Sequence, residues 1–312
     1  MKLSIIVPCF NEAENVLSLQ KAVIEAFQDH PVPFELIFVD DGSQDATLHN
    51  LKKLYQCQKC PMKIISFSRN FGKEAAIYAG LEQAQGEYIS ILDADMQQDP
   101  KMILQMLEIL ETNPETDVVA ACQDRKNESK MIAFLKKRFY TVINRLSDVR
   151  IPADAGDFRT FRKSVAESLL SLAETHRFSK GLFAWVGYQT EYLTYTAEPR
   201  KHGKSKWGIR KLFSYALEGI VGFSTKPLRI AAYIGSFTAF AAMLYLIAVI
   251  SEKLFWGIDV PGYATTVALV LLLGGIQLFC LGIMGEYIGK IFEQSKQRPI
   301  YIAKEIIKNE TE

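Results

Sequence analysis

Two carboxylates and an amide stand at alternate positions where an apolar run ends, in Ile89-Ser-Ile-Leu-Asp93-Ala-Asp95-Met-Gln97-Gln-Asp-Pro100. In an extended exit from a strand, alternate side chains point the same way, so Asp93, Asp95 and Gln97 can converge on one point. An all-oxygen set suits a hard divalent cation, Mg²⁺ or Mn²⁺, and such a cation neutralises a diphosphate leaving group. Plain Asp-rich turns at strand ends share this spacing, so the motif must be weighed with its neighbours.

The flanking chain supplies elements to hold it. Leu3-Ser-Ile-Ile-Val7 is a short β-branched strand closed by Pro8; after Cys9-Phe10-Asn11-Glu12, Val16, Leu19, Val23, Ile24 and Phe27 take helical spacing. A second strand, Phe34 to Val39, stops at Asp40-Asp41-Gly42-Ser43, which also fits a plain type I turn, and Asp45 and Thr47 can cap the next helix. A third, Met62 to Phe67, ends in Ser68-Arg69-Asn70-Phe71-Gly72-Lys73; Glu74 to Ala84 then reads as a helix and Glu87 to Leu92 as the fourth strand. Strand alternating with helix predicts an α/β fold with a mostly parallel, doubly wound sheet, which binds ligands at the C-terminal ends of its strands. Every polar cluster named so far sits at such an end. Asp side chains there can accept from a uracil N–H or ribose hydroxyls, and Arg69 or Lys73 can approach a diphosphate.

These stretches resemble the family 2 glycosyltransferases, which have a nucleotide-diphospho-sugar-binding (GT-A) domain. The resemblance is carried by Ile6-Val-Pro8-Cys-Phe-Asn11-Glu12, Val39-Asp-Asp41-Gly-Ser43, Arg69-Asn-Phe-Gly72-Lys73 and Asp93-Ala-Asp95-Met-Gln97. It implies that Pro8, Asn11, Glu12, Asp40 and Asp41 frame the base and ribose of a nucleotide sugar. It further implies that Asp95 and Gln97 hold the metal, with Asp93 beside the ribose or just behind the metal ligands.

The chain then changes character. Ile230 to Ile250 is an uncharged apolar run of roughly twenty residues, enough to cross a bilayer core, and roughly Tyr263 to Gly285 is a second. The connector Ser251 to Gly262 carries Phe255 and Trp256, with Tyr263 just beyond, aromatics suited to a membrane–water interface. A transmembrane hairpin is the reading; buried helices of a soluble core are the alternative. Lys226 and Arg229 before it, and Lys290, Lys296 and Arg298 after it, predict a cytoplasmic catalytic domain and two cytoplasmic termini at the cell membrane. The expected divisions are a transferase domain over 1–206, interfacial helices over 207–228, two spans over 229–289 and a tail over 290–312.

The remaining composition excludes more than it adds. A formal net charge of +1 carries no nucleic-acid signature. Met1-Lys2 leads directly into a strand, so no cleavable leader is expected. Cys57-Gln-Lys-Cys60 lacks a second pair, and the odd total of 5 cysteines fits a reducing compartment. Met131 to Leu146 is a basic amphipathic helix for a membrane surface or for the protein's own core, and Ile209 to Thr225, just before the first span, reads as interfacial.

Two further motifs, Ile151-Pro-Ala-Asp154-Ala-Gly156-Asp157-Phe158-Arg159 and Arg200-Lys-His-Gly203-Lys-Ser205-Lys206-Trp207, resemble those of polyisoprenyl-phosphate glycosyltransferases, the group containing bactoprenol glucosyl transferase and dolichol-phosphate mannose synthase. Phe178-Ser-Lys-Gly181-Leu-Phe-Ala-Trp185-Val-Gly187 and the two spans match the bactoprenol branch. The resemblance covers nearly the whole chain. It implies inverting transfer of a sugar, glucose from UDP-glucose, to undecaprenyl phosphate for cell-surface polysaccharide modification, by a homo-oligomer, a tetramer. Because the acceptor oxygen is already anionic, attack needs no strong base; screening one phosphate from another is the problem. Arg125, Arg200, Ser205 and Lys206 are assigned to the phosphates, and Asp157 with Arg159 to orienting acceptor or sugar in the reaction centre. A UDP-N-acetylglucosamine or aminoarabinose donor shares every motif. A processive synthase would carry Gln-x-x-Arg-Trp, absent here, and a membrane-anchored nucleotide-sugar-binding protein without catalysis would not need Asp93, Asp95, Gln97 and Asp157 intact.

Overall fold

The structure, a computed structural model, describes residues 1–30, 32–123, 138, 141, 144–145, 149, 155–172, 174–195, 221–255 and 262–308. The expected alternation is present in β1 (Leu3–Cys9), α1 (Val16–Phe27), β2 (Phe34–Asp40), α2 (Thr47–Gln56), β3 (Met62–Phe67), α3 (Lys73–Gln83), β4 (Tyr88–Ile91), α4 (Lys101–Thr112) and β5 (Val118–Gln123). There follow β6 (Ala155–Arg162), α5 (Lys163–Ser171), α6 (Ser179–Trp185), β7 (Thr190–Tyr195), α7 (Lys226–Phe255), α8 (Tyr263–Ser295) and β8 (Ala303–Ile307).

These eight strands form one sheet in the order β7-β5-β6-β4-β1-β2-β3-β8. Successive side chains leave a strand on opposite faces. Leu3, Ile5, Val7, Leu36 and Phe38 therefore join α1, α2 and α4 in one core, while Ile6, Ile37 and Val39 join α3, α5 and α6 in the other. Burial on both faces is why β1 and β2 read as apolar runs, broken within them by Ser4 and Glu35, which are buried and hydrogen-bonded to each other (2.6 Å).

The sheet is less parallel than the alternation predicts. β4, β1, β2 and β3 are mutually parallel, as are β5 and β7, but β6 runs antiparallel to both β4 and β5, and β8 antiparallel to β3. Antiparallel neighbours need no crossover helix, so strand–helix alternation gives no notice of them. The closing residues differ from the expected tail in the same way. α8 runs to Ser295, and Ala303–Ile307 returns to the sheet, with the Ser68 N–H donating to the Ile302 carbonyl (3.0 Å) and Lys52 pairing with Glu305 (2.6 Å). Ala303, Glu305 and Ile307 are half-buried while Lys304 and Ile306 are exposed, the profile of a one-sided edge strand.

α7 and α8, of 30 and 33 residues, are about 45 and 50 Å long, more than a bilayer core requires. None of the apolar window of either helix is buried within the chain, and rings such as Tyr233, Phe237 and Phe279 stand exposed. Buried core helices would be covered. Both outer ends of the pair meet the α/β domain: Phe223, just ahead of α7, lies 6.1 Å from the Phe178 ring, and the Thr175 N–H donates to Gln294 Oε1 (2.9 Å) beside a His176–Glu293 pair, while Tyr287 Oη donates to the Ser224 carbonyl (2.7 Å) and ties the two helix ends together.

Candidate active site

The parallel strands reverse their order between β1 and β4, and the loops leaving their C-terminal ends flank a crevice at that point. Hydrogen bonds fix the loop after β1 to the loop after β2. Asn11, in the left-handed region at φ 55°, donates its N–H to Ser43 Oγ (2.9 Å) and accepts the Gln44 N–H on Oδ1 (2.9 Å). Glu12 donates its N–H to Thr47 Oγ1 (2.9 Å) and accepts Asn15 Nδ2 on its carboxylate (2.6 Å). Pro8 closes β1 in register with Val39.

Asp40 and Asp41 are buried and act on the scaffold. Asp40 accepts the Ser43 N–H (3.1 Å) and Ser66 Oγ (3.0 Å). Asp41 accepts the N–H groups of Phe71 (2.6 Å) and Gly72 (2.9 Å), gripping the loop after β3. Burial raises its pKa to about 6 against the pull of those donors. The grip demands close approach: Gly42, at φ +65°, leaves room for the Arg69 backbone that any Cβ would strike. Arg69 then lies over the Phe71 ring (4.6 Å), which stands edge-on to Phe67 (5.8 Å), and Tyr301 from the closing segment stacks on Phe67 (4.8 Å).

The antiparallel insertion of β6 creates the charge centre. Ile91 pairs with Arg159, so the same register continued two residues past that pair sets Asp157 opposite Asp93. Like charges facing each other on adjacent strands repel. Lys73, opening α3, resolves this with its ammonium 2.6 Å from Asp93 Oδ1 and 2.6 Å from Asp157 Oδ2. Its side chain as a whole is 40% solvent-exposed. Burial of the tip opposes its charge, yet the Asp157 and Asp93 carboxylates hold the Lys73 pKa well above the usual lysine range. Asp157 moves the opposite way: burial resists ionisation, but Lys73, Lys180 and Arg159 hold its carboxyl well below the usual range. Asp157 Oδ1 is buried and accepts no hydrogen bond among the described residues, so a donor is wanted there. Arg159 is 4% exposed, donates to the Gly156 carbonyl (2.7 Å) and stacks over Phe183 (4.0 Å), so it reaches the centre through Asp157.

Past β4 the acidic loop is a turn and not the extended exit expected, with Met96 in the left-handed region at φ 59°; Asp93, Asp95 and Gln97 are half-exposed, while Ala94, Met96 and Gln98 are buried. Asp95 accepts the Gln97 N–H (3.2 Å), and Asp93 is fixed by Gln98, which accepts its N–H (3.0 Å) and donates to its carboxylate (3.1 Å). No three His, Cys, Asp or Glu side chains gather for a metal among the described residues. Such a loop fits Mg²⁺ or Mn²⁺ in the manner of ions held by one or two protein oxygens and completed by substrate phosphates. Asp95 and Gln97 are its candidate ligands; Asp93 is committed to Lys73.

Sequence reasoning passed over three residues. Gln98 orients Asp93. Glu74 accepts the Ser179 N–H (3.0 Å) and hydroxyl, and its pKa is raised to about 7, first by burial and then by Asp157. Lys180 adds positive potential at Asp157. The first follows Gln97 directly; the other two become visible only once α3 and α6 meet. Arg125, Arg200, Ser205 and Lys206 lie outside the described residues, as do most of 131–146 and the connector around Trp256.

Comparison with known proteins places these features. The profile of Glycosyl transferase family 2 matches residues 4–170, and that of the GtrB C-terminal hairpin matches residues 226–291. The chain is 39% identical to an uncharacterized glycosyltransferase of Synechocystis sp., over 98% of this chain and 96% of that one. It is 39% identical to bactoprenol glucosyl transferase of Shigella phage SfV (97% and 98% covered) and 37% identical to a prophage bactoprenol glucosyl transferase homolog of Escherichia coli (99% and 100% covered).

Proposed function

The chain belongs to glycosyl transferase family 2, and we propose that it transfers a hexose, glucose from UDP-glucose, to a membrane polyprenyl phosphate of the bactoprenol (undecaprenyl) type. The observation that carries this reading is the Lys73 bridge between Asp93 and Asp157, in a domain fastened to both ends of an apolar hairpin. Such an arrangement serves a water-soluble donor and a lipid-borne acceptor at once.

The chemistry follows from charge. A lipid phosphate oxygen is anionic at neutral pH and attacks the anomeric carbon of the donor without deprotonation. Two anionic groups must then approach, and fixed cations offset the repulsion. Lys73 is held in place by two carboxylates, and Lys180 and Arg159 add the positive charge that outweighs that pair at this centre. Asp157, whose buried Oδ1 has no donor among the described residues, accepts a sugar hydroxyl and fixes the ring for in-line displacement. Asp41, by holding the N–H groups of Phe71 and Gly72, keeps Arg69 and Lys73 at the crevice. A divalent cation held by Asp95 and Gln97 would neutralise charge on the departing diphosphate. One displacement inverts the anomeric centre, so an α-linked donor gives a β-linked product.

The purified protein in lipid, offered undecaprenyl phosphate and a panel of nucleotide sugars, is expected to form a lipid product whose mass is that of the acceptor plus one hexose, from UDP-glucose. A product heavier by an N-acetylhexosamine or an aminoarabinose would reassign the sugar, and no product with any donor would remove the transferase reading. The basic residues flanking the hairpin support a cytoplasmic catalytic domain with both termini on that side. A cysteine at position 256 is then expected to react only with reagents outside sealed right-side-out vesicles; labelling solely from the cytoplasmic side would reverse this topology.

A further inference from the structure

The seven-residue helix α6 stands between the charge centre and the hairpin. One side of it belongs to the catalytic domain. Ser179 is held by Glu74, Leu182 and Phe183 are 1% and 7% exposed against the sheet, and Phe183 packs edge-on to Phe161 (5.0 Å). Phe178, Gly181 and Trp185 share another face by the spacing i, i+3, i+7. The first two meet Phe223, just ahead of α7: the Phe178 ring lies 6.1 Å from it, and a Cβ on Gly181 would collide with it. Trp185, one turn further along that face, is 59% exposed. α7 opens three residues after Phe223 and bears the exposed apolar side chains Ile230 (45%), Tyr233 (72%) and Phe237 (73%). Residues 175 and 176, just before α6, are fastened to Gln294 and Glu293 near the end of α8. Both hairpin helices thus fix the orientation of the segment that presents Trp185.

We propose that Trp185 is a bilayer contact: its indole seats in the lipid headgroup region beside the hairpin and holds the Lys73–Asp157 centre at the depth where an anionic lipid headgroup arrives. The assignment rests on the membrane reading of the hairpin. The closeness of this face to the exposed apolar start of α7 selects lipid as the occupant, and an indole, apolar in body with one N–H to keep wet, suits that zone. α6 spans about 10 Å, short enough for one end to touch the charge centre's support at Ser179 and the other the membrane surface.

The test uses the full chain in bilayer nanodiscs with Trp207→Phe and Trp256→Phe, so that Trp185 is the remaining indole of the 3 in the sequence. Its fluorescence is expected to be quenched by phospholipids brominated near the carbonyl end of the acyl chains. In the otherwise native protein, Trp185→Ala should raise the KM for the lipid acceptor several-fold while leaving UDP-sugar affinity unchanged, with Trp185→Phe restoring part of the loss. Equal emission in brominated and ordinary lipid would overturn the proposal, as would emission that responds to protein concentration instead, which would give the face to a second copy of the chain. Quenching needs no turnover, so a quenched Trp185 in a protein that transfers no sugar would defeat the proposed reaction and leave the surface assignment standing.

Discussion

Asp157→Asn is expected to abolish sugar transfer, lowering turnover by about 10²- to 10³-fold, the scale for removing one preorganised electrostatic contact. Asparagine preserves the shape of the side chain and removes the charge that Lys73 and Lys180 face. Lys73 keeps Asp93 as a counter-ion, so the ammonium stays bound but shifts away from the position set by two carboxylates. The protein should remain folded and membrane-bound, because Asp157 is one half of a bridge at the mouth of a crevice and not part of either apolar core. Product formation by mass spectrometry, beside a thermal unfolding midpoint, separates the two effects. Turnover above about a tenth of wild type would remove Asp157 from the reaction centre, and loss of folding in step with activity would make its role structural.

Asp95→Asn and Gln97→Ala should each suppress transfer, the first by about 10²- to 10³-fold and the second by less, since a neutral oxygen contributes less than a carboxylate to a hard cation. Donor binding can be measured without any acceptor. Both variants should weaken UDP-sugar affinity in the presence of Mn²⁺ and match the unmodified protein in excess chelator. Full activity of both variants, or full activity of the unmodified protein in excess chelator, would contradict a divalent cation at this loop.

What the chain reveals in advance divides along sequence distance. The first four strands were legible because each is buried on both faces and ends in a polar loop, and the acidic loop was legible from its residue types, while its backbone, a turn with Met96 at φ 59°, was not. The pairing of Lys73 with Asp157 was not: it joins residues 84 apart through the antiparallel placement of β6, which no local pattern announces. Asp40 and Asp41 show the converse. Their types were noticed, but the partners that occupy them, Ser66, Phe71 and Gly72, come from the next strand and its loop, so the scaffolding role was hidden. Arg159 was likewise conspicuous in its motif, while its burial beneath Phe183 depended on a helix two elements later. β8 was missed because a short Ile-Ile pair among charges has no period to detect.

That closing strand has a consequence for biogenesis. Ile64 of β3 takes Ile307 as its partner, and Phe67, at the root of the loop carrying Arg69 and Lys73, takes its stacking ring from Tyr301. Translation delivers the first four strands early, and they can pair as they leave the ribosome. The outer edge of β3 must wait until both apolar helices have been synthesised and Ala303–Ile307 has followed them. A chain that stalls before this point, or whose helices fail to insert as a pair, retains a bare strand edge of the kind that recruits other strands and invites degradation. Completion of the loop that carries Arg69 and Lys73 thereby depends on a segment synthesised only after the apolar hairpin.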